Sequence, residues 1–146
     1  MNVAIGSDHR GLEYKKYIIG LLSELGYAYT DFGSYTEESV DYPVIAQDVG
    51  EAVSKAKHDF GILICGTGIG MSIAANKVKG IRAALCWDNF GAQRARLHNN
   101  ANIICLGAER GISGVPDILK TFFTTQFEGG RHQRRLDIIS NMETLK

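Results

Sequence analysis

The sequence predicts an α/β fold, a five-stranded parallel sheet with helices on both faces, built as a single domain over residues 1–146. Three observations predict it. Short apolar runs alternate with longer amphipathic ones along the whole chain. The most apolar run, FGILIC at 60–65, shows no polar alternation, as expected of a strand covered on both faces. The length of 146 residues suits one domain, with no repeat, linker or low-complexity stretch to divide it.

Residues 2–6 (NVAIG) read as the first buried strand. In 11–25, Leu12, Ile18, Ile19, Leu22 and Leu25 recur at helical spacing, and Gly26 suits the position after a helix end. Residues 27–32 read as the second strand and 33–43 as loop. In 44–57, Ile45, Val49 and Val53 lie four apart on one helix face. After the strand 60–65 come a short helix at 71–78 and a strand at 81–86. A helix follows at 88–99, with Asp88 as its N-cap. The fifth strand is 102–106. Pro116 opens a helix over 116–127, and a last helix runs over about 131–142.

Lys plus Arg and Asp plus Glu are both 16, so no net charge steers the chain to nucleic acid or an anionic membrane. No apolar run approaches the roughly 18 residues of a membrane span. The start, MNVAIGSDHRG, turns polar too early for a signal peptide. The three cysteines sit in apolar stretches without zinc spacing, which reads as free thiols in a reducing cytoplasm.

Ligands of such sheets bind beyond the carboxyl ends of the strands. There the sequence places Ser7-Asp8-His9-Arg10-Gly11, Gly66-Thr67-Gly68-Ile69-Gly70, Trp87-Asp88 and Gly107-Ala108-Glu109-Arg110. The glycine loop is the strongest signal. Alternating glycines let backbone N–H groups turn inward as an anion nest, and the following helix adds its positive end. The spacing G-x-G-x-G is not the dinucleotide G-x-G-x-x-G, and no Lys-Ser/Thr ends it as in a Walker loop. A bare tight turn is the plainer alternative.

Cys65 enters that loop. It reads either as a small buried hydrophobe or as a thiol that a neighbouring helix terminus favours as thiolate. Cys86 and Cys105 read as core. Asp8 and His9 read either as a helix cap with an incidental histidine or as proton-transfer and anion-binding groups. His98-Asn99 end a helix, where a charged His also complements the dipole. Arg131 and Arg135, at i and i+4, present one face that suits a phosphate or is simply solvated. His58 and His132 have weaker cases.

Taken together, GSDHRG, DYP at 41–43, ILICGTGIGMSIAANK at 62–77, GIRAAL at 80–85, HNNAN at 98–102 and EGGRHQRR at 128–135 run in order through nearly the whole chain. In these stretches the chain resembles ribose-5-phosphate isomerase B and its sugar-phosphate isomerase relatives. The resemblance implies a Rossmann-like three-layer α/β/α subunit and a homodimer, or a tetramer, with active sites shared at the interface and the last helix packed on the partner. It implies isomerisation of ribose 5-phosphate to ribulose 5-phosphate in the cytoplasm, with no cofactor and no metal.

By the same resemblance, Cys65 is the base, and Gly66, Thr67, Gly68, Ile69 and Gly70 form the hole for the enediolate. His98 opens the sugar ring with Asp8 nearby, Asn99 binds substrate, and His9, Arg131 and Arg135 hold phosphate. Relatives that use a Glu further along the loop have no counterpart here, since Gly70-Met71-Ser72 stand there. Many relatives carry an arginine where Glu109 stands, so Arg110 either replaces it by a one-residue shift or the contact is missing. Two rivals are an isomerase of a six-carbon sugar phosphate, such as allose or galactose 6-phosphate, and a non-catalytic sensor on the same fold. Cys65 and His98 argue against the sensor, which needs no base.

Overall fold

The computed structural model describes residues 1–145. Five strands form one parallel sheet: β1 (Asn2–Ser7), β2 (Ala28–Asp31), β3 (Phe60–Cys65), β4 (Ala83–Leu85) and β5 (Ile103–Gly107). Six α-helices flank it: α1 (Leu12–Glu24), α2 (Tyr42–Ser54), α3 (Ile69–Ala75), α4 (Asn89–Asn99), α5 (Val115–Thr124) and α6 (Arg131–Met142). The spatial order is β2-β1-β3-β5-β4. The chain steps to one side of β1 to place β2, then to the other side to place β3. The junction of β1 and β3 is therefore the switch point at which such sheets open a crevice.

Alternate side chains of β1, β3 and β5 feed two cores. Val3 and Ile5, Ile62 and Ile64, and Ile104 and Leu106 pack with α1, α4 and α5. Ala4, Leu63, Cys65, Ile103 and Cys105 pack with α2 and α3. These strands are apolar on both faces because helices cover both, as the run at 60–65 predicts. The two-layer covering makes the architecture the three-layer α/β/α sandwich expected.

Several boundaries differ from the sequence reading. A 3-10 turn at His9–Gly11 precedes α1, because Asp8 caps it by accepting from the N–H groups of Arg10 and Gly11, both at 3.0 Å. α3 begins at Ile69, two residues early, since Gly68 supplies the left-handed N-cap with φ of 79°. β4 is only three residues because the Arg82 N–H goes to the Asn102 side chain at 2.8 Å instead of to a neighbouring strand. α5 ends at Thr124, where Thr125 turns extended. Asp88 caps α4 as expected, accepting from the Gly91 N–H at 2.8 Å.

Candidate active site

Two of the connections beyond the carboxyl edge flank the β1/β3 switch point and hold most of the proposed chemistry. Asp8 and His9 follow β1, and Cys65 with the glycine loop follows β3. Asp8 is buried, and its Oδ1 is engaged in the cap. His9 Nδ1 accepts from the Val40 N–H at 3.3 Å. An acceptor at Nδ1 places the ring proton of neutral His9 on Nε2.

The glycine loop is shaped by packing. The Cys65 sulfur accepts from the Gly68 N–H at 3.1 Å, and Thr67 Oγ1 accepts from the Ile69 N–H at 3.2 Å. Two of the N–H groups expected to line an anion nest are therefore turned to acceptors of the loop itself. Gly68 is required twice over: its φ is left-handed, and a Cβ there would lie 2.6 Å from Leu85 Cδ1. Gly70 backs onto the Tyr42 ring, where a Cβ would meet ring carbon at 2.6 Å. Cys65 and Gly66 are buried, while Thr67 and Ile69 are exposed above them.

The other predicted residues are at the opposite edge. α4 leaves the carboxyl end of β4 and runs back, so His98 and Asn99 lie at its far end. Asn102, just beyond, accepts from the N–H of Gly61 at the start of β3. Cys65 is four residues further along that strand, about 13 Å at ~3.3 Å per residue. One chain therefore holds Asp8, His9 and 65–70 together, and His98, Asn99, Arg131 and Arg135 together, but not the two sets with each other.

In the second set, the His98 and His132 rings stack with centroids 4.3 Å apart and planes within 13°. Glu128 Oε2 lies 3.7 Å from Nε2 of each. Glu128 is fixed there by its own N–H, which donates to the Leu97 carbonyl. His132 is buried, only 5% exposed, and its Nε2 has no hydrogen-bond partner. Burial, then His98 and Arg131, push the His132 pKa below its ordinary 6.5, against an opposing pull from Glu128. Arg131 and Arg135 are exposed and make no ion pair among the described residues.

Sequence reasoning gave His132 only a weaker case, took Glu109 only as a departure from relatives, and gave Glu128 no role. Glu128 and His132 are four apart, which was the available signal. Glu109 Oε1 accepts from Arg10 Nη1 at 3.0 Å, and the Glu109 N–H donates to the Gly66 carbonyl at 2.9 Å. Arg110 stacks on the Trp87 ring, 4.9 Å from its centroid. Glu109, not Arg110, thus faces the glycine loop, so Arg110 does not take over the position by a one-residue shift. Cys86 and Cys105 are buried core residues, as expected.

Residues 3–139 match the Ribose/Galactose Isomerase family model. Ribose-5-P isomerase B of Listeria innocua is 45% identical over 144 residues, covering 98% of this chain and 97% of that one. The D-erythrulose-4-phosphate isomerase of Pectobacterium atrosepticum is 42% identical, covering 98% and 95%. Ribose-5-Phosphate Isomerase B of Clostridium thermocellum superposes with a TM-score of 0.97 at 46% identity, over 99% of each chain. Strand order, glycine loop and full-length identity agree: the chain belongs to the ribose/galactose isomerase family and is an aldose–ketose isomerase of the ribose-5-phosphate isomerase B type.

Proposed function

We propose that the protein interconverts ribose 5-phosphate and ribulose 5-phosphate through an enediolate, in sites shared between two copies of the chain. The observation that carries this is the Cys65 sulfur, held by the Gly68 N–H at the switch point beneath an exposed Thr67. His98 of the second copy protonates the ring oxygen and opens the sugar, with Asp8 and Asn99 about the hydroxyls. Cys65 takes the proton from carbon two and returns it to carbon one. Meanwhile the hydroxyl proton on oxygen two passes to oxygen one, so the carbonyl moves from carbon one to carbon two. A positioned base of this kind adds about 10²–10⁴-fold to the rate. Thr67 and the loop from Gly66 through Gly68 and Ile69 to Gly70 hold the enediolate charge once the Gly68 and Ile69 N–H groups turn from Cys65 and Thr67 to the substrate oxygen, each well-placed donor supplying roughly 2.7–4 kcal/mol. No electron leaves the substrate, so the reaction needs no redox cofactor.

The Glu109 carboxylate beside Gly66 disfavours a phosphate at the loop. The phosphate then belongs at Arg131 and Arg135, which make no ion pair among the described residues, with the His9 Nε2–H as a further donor. Such a chain acts on a small sugar phosphate in the cytoplasm, with no nucleic-acid or membrane partner; no described helix is long and apolar enough to cross a membrane.

Glu109 in place of an arginine also favours a second reading, a substrate of another chain length. A relative acting on a four-carbon sugar phosphate is 42% identical, and six-carbon phosphates are the rival drawn from the sequence. Purified protein assayed for aldose–ketose conversion, with and without chelator, separates these. The substrates are ribose 5-phosphate, D-erythrulose 4-phosphate, allose 6-phosphate and galactose 6-phosphate. The highest kcat/KM is expected for ribose 5-phosphate, unchanged by chelator. A higher value for a four- or six-carbon substrate overturns the assignment.

A further inference from the structure

We propose that His98, Glu128 and His132 form a binding site for a divalent cation of the zinc type, and that filling it switches the isomerase off. The inhibitory half rests on His98 being the ring-opening acid. Among the described residues this is the one group of three His, Cys, Asp or Glu side chains whose ligand atoms all lie within 4.8 Å of one another. Two imidazole nitrogens and one carboxylate oxygen are a common protein ligand set for zinc, with the fourth position left to water.

A second observation points to a ligand. His132 Nε2 is buried without any partner, beside the Glu128 carboxylate, which is too far away to accept from it. A buried polar atom left unpaired is costly, and a metal bond would remove that cost. Closing ligand distances to the roughly 2.0–2.2 Å of zinc requires the stacked rings to tilt apart. His98 has room to do so, its side chain being 34% exposed, and Glu128 is exposed at 46%. Buried His132 serves as the fixed ligand. Once bound to zinc, His98 has no free nitrogen lone pair at that atom and cannot exchange a proton with a sugar.

The test uses the full chain and Zn²⁺ or Co²⁺ alone as probe. Calorimetric titration should show one zinc per chain in wild type and in Cys65→Ser. Affinity should fall at least about tenfold in His132→Asn and in Glu128→Gln, the second guarding against misfolding of the first. The cobalt form should show visible ligand-field bands with no thiolate charge-transfer band. Equal affinity in wild type and Glu128→Gln, or a thiolate band lost in Cys65→Ser, overturns the site. Zinc should also abolish wild-type turnover, reversibly with chelator, at about tenfold lower concentration than in Glu128→Gln, each measured against its own zinc-free rate. Zinc bound at these residues with turnover unchanged overturns the inhibitory half and the role of His98, but not the site.

Discussion

Three cysteines share burial in this chain and differ in what their sulfur meets. Cys105 is wholly covered, and burial pushes its thiol well above the ordinary range. Cys86 is pushed up to about 12, by burial first and then by Asp88. Only Cys65 receives a loop N–H on its sulfur, from Gly68 at 3.1 Å. Iodoacetamide near neutral pH should therefore modify one thiol per chain, map to Cys65, and abolish turnover in step. Ribose 5-phosphate should protect it. Modification of Cys86 first, or loss of Cys65 without loss of activity, would sink its role as base. Cys65→Ala should lower kcat by about 10²–10⁴-fold. At this scale the sequence was informative about residue type and silent about partners. The Asp8-His9 pair left two readings open, and the structure shows the cap on Asp8 while giving His9 Nδ1 to Val40.

The glycine loop works as an element because its neighbours leave it one position. Gly107 ends β5 at an unstrained φ of −102°. A Cβ there would lie 2.7 Å from the Thr67 carbonyl oxygen, a backbone atom that cannot swing aside. Gly107→Ala should push the loop away from its place over Cys65 without burdening its own backbone. We expect kcat to fall by about 10²-fold, the effect of roughly an ångström's misplacement, with a smaller loss of stability. Normal turnover would mean that the loop position does not matter to the chemistry. β2 shows a different dependence. Lys15, 1% exposed, holds Asp31 at 2.7 Å and also donates to the Ser34 carbonyl. Asp31→Ala leaves that ammonium buried without its carboxylate and should cost about 3–5 kcal/mol in chemical denaturation. A loss under about 1 kcal/mol would show that the pair is solvated. Strands, helices and the loop were legible because their periodicity and glycines are local. The capped 3-10 turn, the short β4 and the Glu128–His132–His98 group were not, because tertiary contacts decide them.

At the scale of the whole molecule, the strand order β2-β1-β3-β5-β4 lay beyond the sequence, since alternation fixes parallel pairing but not which neighbour a strand takes. Because α4 runs back from the carboxyl end of β4, Asp8, His9 and the Cys65 loop lie at one edge of the sheet and His98, Asn99, Arg131 and Arg135 at the other, so on the proposed roles one copy lacks a complete site. A two-fold pair can bring each edge to the other twice over, and the closed cleft would exclude water from the enediolate. Ile69, Ile73, Phe90, Ile138, Ile139 and Met142 are large apolar side chains left 44–66% exposed, as an unpaired subunit face would leave them. The decisive experiment mixes two inactive variants, Cys65→Ala and His98→Ala, under conditions that exchange subunits. In a shared arrangement, one site of the mixed dimer carries both defects and the other carries neither. Activity should return to about half of wild type per mixed dimer. If mass spectrometry shows exchange and the mixture stays inactive, His98 acts within its own subunit, and the geometry that separates it from Cys65 would have to close by another route.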